Sequence, residues 1–401
     1  MNTGPIDLLP RLETLQMAAK TDLVSLETTI TSDGRTLRLH NAGMKGGHVR
    51  FGLFGRDLLV AAIMLGEQKM MAEAIRFVGA TLGHRFDVCT GEEPGRGIHE
   101  YTDVSMRGRL TRYNAAEVSL LLLITAADYW RLSADASLLH EERSHLIAAI
   151  DYTRRHLRNG LFIEDPDYYG ADGYALRATY WKDSRLPGRE DPAYPVSYTL
   201  VQAQAIAALR AAATLASPLS ILDQQDDLHA SAETALSRLF ADLWDEKTDY
   251  PLIARDQKGR IRGVSSDALH MLAYLRPEDV PQRKLARIHA GSKELETPYG
   301  FRTYAPGQPD YSPCGYHLGA IWPFEQAFIA NASIVHNLPQ ALTVALRTVD
   351  GLERLGFVEL YYFEEEIGIA SGGTAEAEGC DVQLWSLATP AMLLRLLTNG
   401  P

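Results

Sequence analysis

YNAAEVSLLLLITAADYWRLSADASLLHEERSHLIAAIDYTRRHLR, residues 113–158, decides the fold. Apolar residues recur at helical spacing on both sides of Leu132-Ser133-Ala134, so the segment reads as helices over 113–131 and 135–158 joined by a three-residue turn. The apolar run from Val118 to Ala127 falls short of the roughly 18 residues of a membrane span and reads as a buried helix.

The pattern repeats outward. Helical periodicity also marks 6–18, 56–66, 68–85, 196–215, 219–244, 265–275, 279–291, 317–335, 338–355 and 382–397, giving twelve helices. Short turns join several neighbours, as at Gly66-Glu67, Ser217-Pro218 and Asn337-Leu338-Pro339. Helices paired in this way are αα-hairpins. Long polar loops separate the hairpins, at 33–55, 86–112, 159–195, 245–264, 292–316 and 356–381. Loops of such length are uncommon unless they carry function. Six hairpins stacked in a ring would gather all of them at one end. The expected fold is therefore all-α, an (α/α)6 barrel or six-hairpin toroid, with the long loops forming a cleft. Residues 1–401 show no linker or composition break and read as one domain. Short β-hairpins are expected within the loops, with 358–363 the best strand.

The chain has 401 residues, 46% hydrophobic and 22% charged, which is ordinary globular composition. A net charge of -12 argues against nucleic acid, which requires a basic face. The N-terminal stretch has no basic and apolar signal pattern. Cys89, Cys314 and Cys380 show no metal-binding spacing and read as reduced thiols in a cytoplasmic protein without a metal or cofactor. The oligomeric state is not legible.

Aromatic and charged residues that helix packing does not explain concentrate in the long loops. Tyr180-Trp181-Lys182-Asp183-Ser184 combines an apolar platform with a carboxylate and a neighbouring cation. Phe54-Gly55-Arg56-Asp57 opens a helix; Asp57 suits a helix N-terminus, and adjacent Arg56 and Asp57 also suit two neighbouring sugar hydroxyls. Glu92-Glu93-Pro94-Gly95 with His99-Glu100 reads alone as an acidic surface turn. Tyr316, His317 and Trp322 are expected at the start of a helix, with Pro323 in its first turn. In the last loop Glu359 stands apart from the acidic run because apolar and aromatic residues flank it. A carboxylate so embedded is paired or functional. Glu376 and Glu378 are the alternatives. Two carboxylates on separate loops across a cleft are what glycoside hydrolysis requires.

The same clusters, in order, resemble a known family. FGRDLL at 54–59, EEPGRGIHE at 92–100, YWKDS at 180–184, FRTYAPGQPDY at 301–311, YHLGAIWPFEQAFIA at 316–330, ELYYF at 359–363 and GCDVQLWSLA at 379–388 are similar to segments of amylo-α-1,6-glucosidase (glycogen-debranching-type) catalytic domains. These belong to the six-hairpin glycosidase group, together with mannosylglycerate hydrolases and family 63 enzymes. The resemblance implies an inverting exo-glycosidase for an α-glycosidic, first of all α-glucosidic, bond. It makes Asp183 the general acid and Glu359 the base that activates water. Arg56 and Asp57 would hold the terminal sugar, and Trp181, Tyr316, His317 and Trp322 would shape its pocket. Phe54, Glu93, His99, Glu100, Lys182 and Trp385, from the same segments, complete the candidate substrate-binding set. Lys182 beside Asp183 would favour the ionised acid unless it turns away. About fifty residues precede FGRD, where debranching-type chains carry a β-rich domain. That points to a small oligosaccharide or glycoside as substrate. The competing expectations are a sugar epimerase or isomerase on an α/α barrel, disfavoured by scattered histidines, and a non-catalytic sugar-binding relative.

Overall fold

A computed structural model describes residues 8–32, 34–372 and 378–400. Its helices are α1 (Leu8–Leu26), α2 (Gly55–Leu65), α3 (Gln68–Ala80), α4 (Val118–Ser133), α5 (Ser137–Glu141), α6 (Arg143–His156), α7 (Thr199–Thr214), α8 (Gln225–Asp242), α9 (Asp267–His270), α10 (Gln282–Ser292), α11 (Pro323–Val335), α12 (Ala341–Leu355) and α13 (Leu384–Asn399). Among the described residues no helix is long and apolar enough to cross a membrane.

Six helices form an inner layer. α2 packs on α4, α4 on α7, α7 on α9 and the 3-10 turn Met271–Tyr274, these on α11, α11 on α13, and α13 on α2. The others lie outside: α3 against α2 and α4, α6 against α4 and α7, α8 against α7, α10 against α9, α12 against α11, and α1 against α13. This arrangement is consistent with an α/α toroid. Composition separates the layers. The inner helix α4 buries Val118 through Leu123 without interruption, as a helix covered on all sides must. The outer helix α12 buries one stripe, Val344, Ala345, Thr348, Val349, Gly351 and Leu352.

Several helices differ from their periodicity. The pattern over 135–158 breaks at Glu142 into α5 and α6. The pattern over 265–275 becomes the short α9 and a 3-10 turn. The helix expected from 317 begins only at Pro323, so Tyr316 and His317 lie in the loop before it. The proline sits in the first turn, where its missing N–H costs nothing, and Trp322 before it is extended at φ -110 and ψ 118. The expected strand is Tyr361–Glu364, paired antiparallel with Gly368–Ser371.

Between α2 and α3 the chain turns on Gly66, which adopts φ 67 and donates its N–H to the Ala62 carbonyl. A left-handed residue there favours glycine. The short turn leaves the long loops to enter the N-terminal ends of the inner helices. Phe54, Tyr198, Trp322 and Gln383 each precede an inner helix in extended conformation, without a side-chain cap. The first-turn N–H groups, which have no partner within the helix, therefore lie at the loop end.

Candidate active site

At the loop end the N-termini of α2, α11 and α13 meet the loops that carry Asp183 and Glu359. A cavity of about 160 Å³ is lined by Phe54, Arg56, Asp57, His99, Trp181, Asp183, Tyr316, His317, Trp322, Glu359 and Trp385, together with Ala42, Phe51, Glu378, Cys380 and Gln383. Residues from 42 to 385 thus converge on one chamber. Three candidates do not line it. Glu93 is fully buried elsewhere, paired with Arg96 at 2.8 Å and His156 at 3.0 Å. Glu100 accepts from the Thr111 hydroxyl. Lys182 turns into the core and pairs with Asp267 at 3.0 Å. Lys182 is therefore not a free cation beside the acid. The acidic turn at 92–93 is not a surface feature either, since Glu92 and Glu93 are both buried.

Aromatic rings build the apolar wall. His317 stacks on Trp322 with ring centroids 5.1 Å apart. Trp181 and Trp385 meet Trp322 edge-on at 5.6 and 5.7 Å. Such interlocked rings present a rigid platform at low entropic cost. The Ser184 backbone N–H donates to His317 Nδ1 at 3.3 Å. That leaves the ring proton on Nε2, a buried atom with no hydrogen-bond partner among the described residues. Burial pushes the His317 pKa down to about 3, so the ring is neutral at physiological pH. Four further lining side chains keep buried polar atoms without a hydrogen-bond partner among the described residues: Trp385 Nε1, Gln383 Oε1, His99 Nδ1 and Arg56 Nε. Buried polar atoms demand a partner, and a polyhydroxylated ring supplies both donors and acceptors.

The carboxylates differ in setting. Asp183 Oδ2 accepts from Arg56 Nη2 at 3.0 Å and stands 3.7 Å from His99 Nε2. Burial acts to raise its pKa, but the neighbouring His99 and the Arg56 charge outweigh it and hold Asp183 well below the usual range. Glu359 Oε1 accepts from the Tyr316 hydroxyl at 2.6 Å, and Oε2 from the Cys380 backbone N–H at 2.8 Å. Burial still raises its pKa; these bonds offset part of the shift, and the negative charge of Asp183 adds to it. Asp57 accepts from Gln383 Nε2 at 3.0 Å. Burial raises Asp57 to about 7, with Arg56 opposing and Glu359 reinforcing the rise. Arg56 also donates to the buried Glu117 at 3.0 Å. Two carboxylates therefore hold one guanidinium at the cavity floor.

Sequence reasoning did not single out Cys380, Gln383, Glu117 or Asp267. Cys380 and Gln383 lie within the quoted GCDVQLWSLA segment, but their contacts depend on strand pairing. Val382–Gln383 pairs with Gly43–Met44, more than 300 residues away in the chain. Of the alternative bases, Glu378 is exposed and bonds Lys45, and Glu376 lies outside the described residues.

A paired-carboxylate cavity at the loop end of an α/α arrangement defines the six-hairpin class of sugar-cleaving enzymes. Residues 130–373 match the model of the mannosylglycerate hydrolase MGH1-like glycoside hydrolase domain, and the chain belongs to that family. It is a glycoside hydrolase. Comparison with curated proteins gives no match. Among solved structures, the fold is similar to that of GH63 mannosylglycerate hydrolase from Thermus thermophilus in complex with Tris and D-glycerate. That structure has a TM-score of 0.66 and 13% identity, with 95% of this chain and 99% of that chain covered. The same enzyme in complex with glucose gives 0.62 and 14%, covering 94% and 99%. Rhamnosidase from Klebsiella oxytoca with rhamnose bound gives 0.63 and 13%, covering 97% of this chain and 64% of that one.

Proposed function

We propose that this protein is an inverting exo-glycosidase that releases a terminal sugar, first of all glucose, from an α-linked small oligosaccharide or glycoside. The whole chain is then one closed (α/α)6-barrel catalytic domain, acting in the cytoplasm, where its three cysteines stay as free thiols. The observation that carries the reading is the single cavity holding Asp183 and Glu359 among unpaired polar atoms and aromatic rings. Its volume of about 160 Å³ is below the roughly 300–1,000 Å³ of common ligand sites and suits one terminal ring.

Beside it lies a larger cavity of about 660 Å³, lined in part by Asp183, Tyr316, His317 and Glu378 but not by Glu359. A leaving group placed there meets Asp183 and not Glu359. Asp183 is accordingly the acid that protonates the leaving oxygen, and Glu359 the base that takes a proton from water attacking the opposite face. Arg56 and His99 keep Asp183 ionised. A sugar whose hydroxyls engage Arg56 and displace water weakens that hold and lets burial raise the pKa.

The opposite pKa directions favour a second reading, with Glu359 as acid and Asp183 as base. A glycosyl fluoride separates them, because fluoride leaves without protonation. Under the first reading Asp183→Asn lowers hydrolysis of an alkyl glycoside by roughly 10²–10⁴-fold and spares the fluoride, while Glu359→Gln lowers both. The reverse outcome assigns the second reading. Glu376→Gln and Glu378→Gln serve as comparators; loss confined to either displaces Glu359. NMR of the first-formed sugar tests inversion: a β-anomer from an α-glycoside supports it, and an α-anomer overturns it. The aglycone has a further indication. Arg177 lines the larger cavity and has no partner among the described residues, so a small acid such as the glycerate bound by the solved relative is the first aglycone to try.

A further inference from the structure

Three consecutive residues of the acid-bearing loop bond to one carboxylate. The Tyr180 hydroxyl donates to Asp267 Oδ2 at 3.1 Å. Trp181 Nε1 donates to Asp267 Oδ1 at 3.2 Å, and Lys182 Nζ stands 3.0 Å from the same oxygen. Asp267 opens α9, and only 2% of its surface is exposed. Its remaining capacity is taken by the Ser265 hydroxyl at 3.2 Å. Lys182 is fixed further by Ser265 Oγ at 2.8 Å, Ser266 Oγ at 2.9 Å and the Thr303 carbonyl at 3.1 Å. Ser266 in turn donates to the buried Glu325 of α11 at 2.7 Å.

The rest of the segment from 163 to 196 contains no helix beyond one 3-10 turn, Pro166–Tyr169. A catalytic side chain on such a loop needs an external fixture to hold its geometry. We infer that Asp267 is the positioning residue of the acid. By binding Tyr180, Trp181 and Lys182 together, it fixes the backbone immediately before Asp183. It does so without touching the substrate cavity, whose lining does not include it. Its charge also balances Lys182, so the cation expected to oppose protonation of Asp183 is neutralised one residue away. A buried charge pair with all its hydrogen bonds made is costly to assemble and unforgiving of a lost partner. That rigidity suits a fixture.

This assignment rests on Asp183 being the acid, so the test reads both. Wild type, Asp183→Asn and Asp267→Asn are compared on an alkyl glycoside and on the corresponding glycosyl fluoride. The expected result for Asp267→Asn is a fall in kcat on the alkyl glycoside on the order of 10²-fold, as a displacement of about 1 Å produces. Hydrolysis of the fluoride should stay within a few-fold of wild type, which also reports an intact fold and sugar pocket. Equal losses on both substrates would overturn the proposal, since a general structural defect does not distinguish leaving groups. So would an unchanged kcat on the alkyl glycoside. If Asp183→Asn itself fails to spare the fluoride, the acid assignment falls first and the inference with it. Should Asp267→Asn not fold, Tyr180→Phe removes one bond to the same carboxylate and is read the same way. A several-fold loss on the alkyl glycoside alone supports the clamp, and equal or absent losses reject it.

Discussion

The Tyr316 hydroxyl lies 2.6 Å from Glu359 Oε1 and donates to it. Such a bond stabilises the ionised carboxylate, and it works against burial, which raises the Glu359 pKa. Under the proposed assignment Glu359 is the base, and a base must be ionised to accept a proton. Tyr316→Phe should therefore move the acidic limb of the kcat/KM profile to higher pH. Below the shifted limb the loss should be roughly tenfold or more, the worth of one hydrogen bond to a charge. A pH–rate series on the variant checks this; an acidic limb that stays in place or moves down would separate Tyr316 from the base.

Gly43 has a role that its own chemistry does not announce. It pairs with Gln383, and a methyl group on it would stand 2.6 Å from Cys380 Sγ and 2.9 Å from the Val382 carbonyl. The backbone contact cannot swing aside. Gly43→Ala should push the 380–383 segment away, loosening the Cys380 N–H from Glu359 and the Gln383 amide from Asp57. Overpacking of this kind costs about 1–3 kcal/mol, and activity should fall by more than that stability change accounts for. Denaturant unfolding beside kcat/KM measures both.

Glu93, Arg96, His156 and Glu164 form a buried strut remote from the cavity. Arg96 binds Glu93 at 2.8 Å and Glu164 at 2.6 Å. Arg96→Met leaves two buried carboxylates without their cation and should cost about 3–5 kcal/mol. Burial acts to raise the Glu93 pKa, but His156 and Arg96 prevail and hold it at about 2, below its ordinary 4.5. A depressed folded-state value means that the stabilisation is complete above pH 4.5 and lost as pH falls toward 2. Unfolding measured across that window should show a slope that Glu93→Gln removes.

Asp57 should act with the opposite sign. Its folded value of about 7 exceeds its ordinary 3.8. The native state then binds the extra proton, and stability declines as pH rises from 3.8 to 7. Asp57→Asn should flatten this decline. Unfolding free energies on the two proteins between pH 5 and 8 decide it, and an unchanged slope would mean that Asp57 is not the group responsible.

The helices were legible because outer helices such as α12 show one apolar stripe and short turns set the pairing. The starts of α4, α7 and α11 were not. Patterns beginning at 113, 196 and 317 became helices at Val118, Thr199 and Pro323, because the residues before them are themselves buried. Periodicity does not distinguish a buried loop from a buried helix. In the site, Arg56, Trp181, Asp183, Trp322 and Glu359 stood out as charges and rings that packing leaves unexplained. Gly43, Gln383 and Asp267 did not. A glycine, an amide and one more aspartate acquire meaning only from partners tens to hundreds of positions away. Glu93 misled for the complementary reason: its acidic neighbourhood suggests a surface, and beside the nearby Arg96 its partners His156 and Arg155 lie about sixty positions away, where only the folded chain brings them.

The proposed hydrolytic pair, Asp183 and Glu359, is held by contacts from position 56 to position 380. No fragment shorter than residues 56–380 carries both Asp183 with its guanidinium and Glu359 with its tyrosine and its Cys380 N–H. During refolding, turnover is therefore a late clock: helix content can recover hairpin by hairpin, whereas sugar release reports the arrival of the final segment.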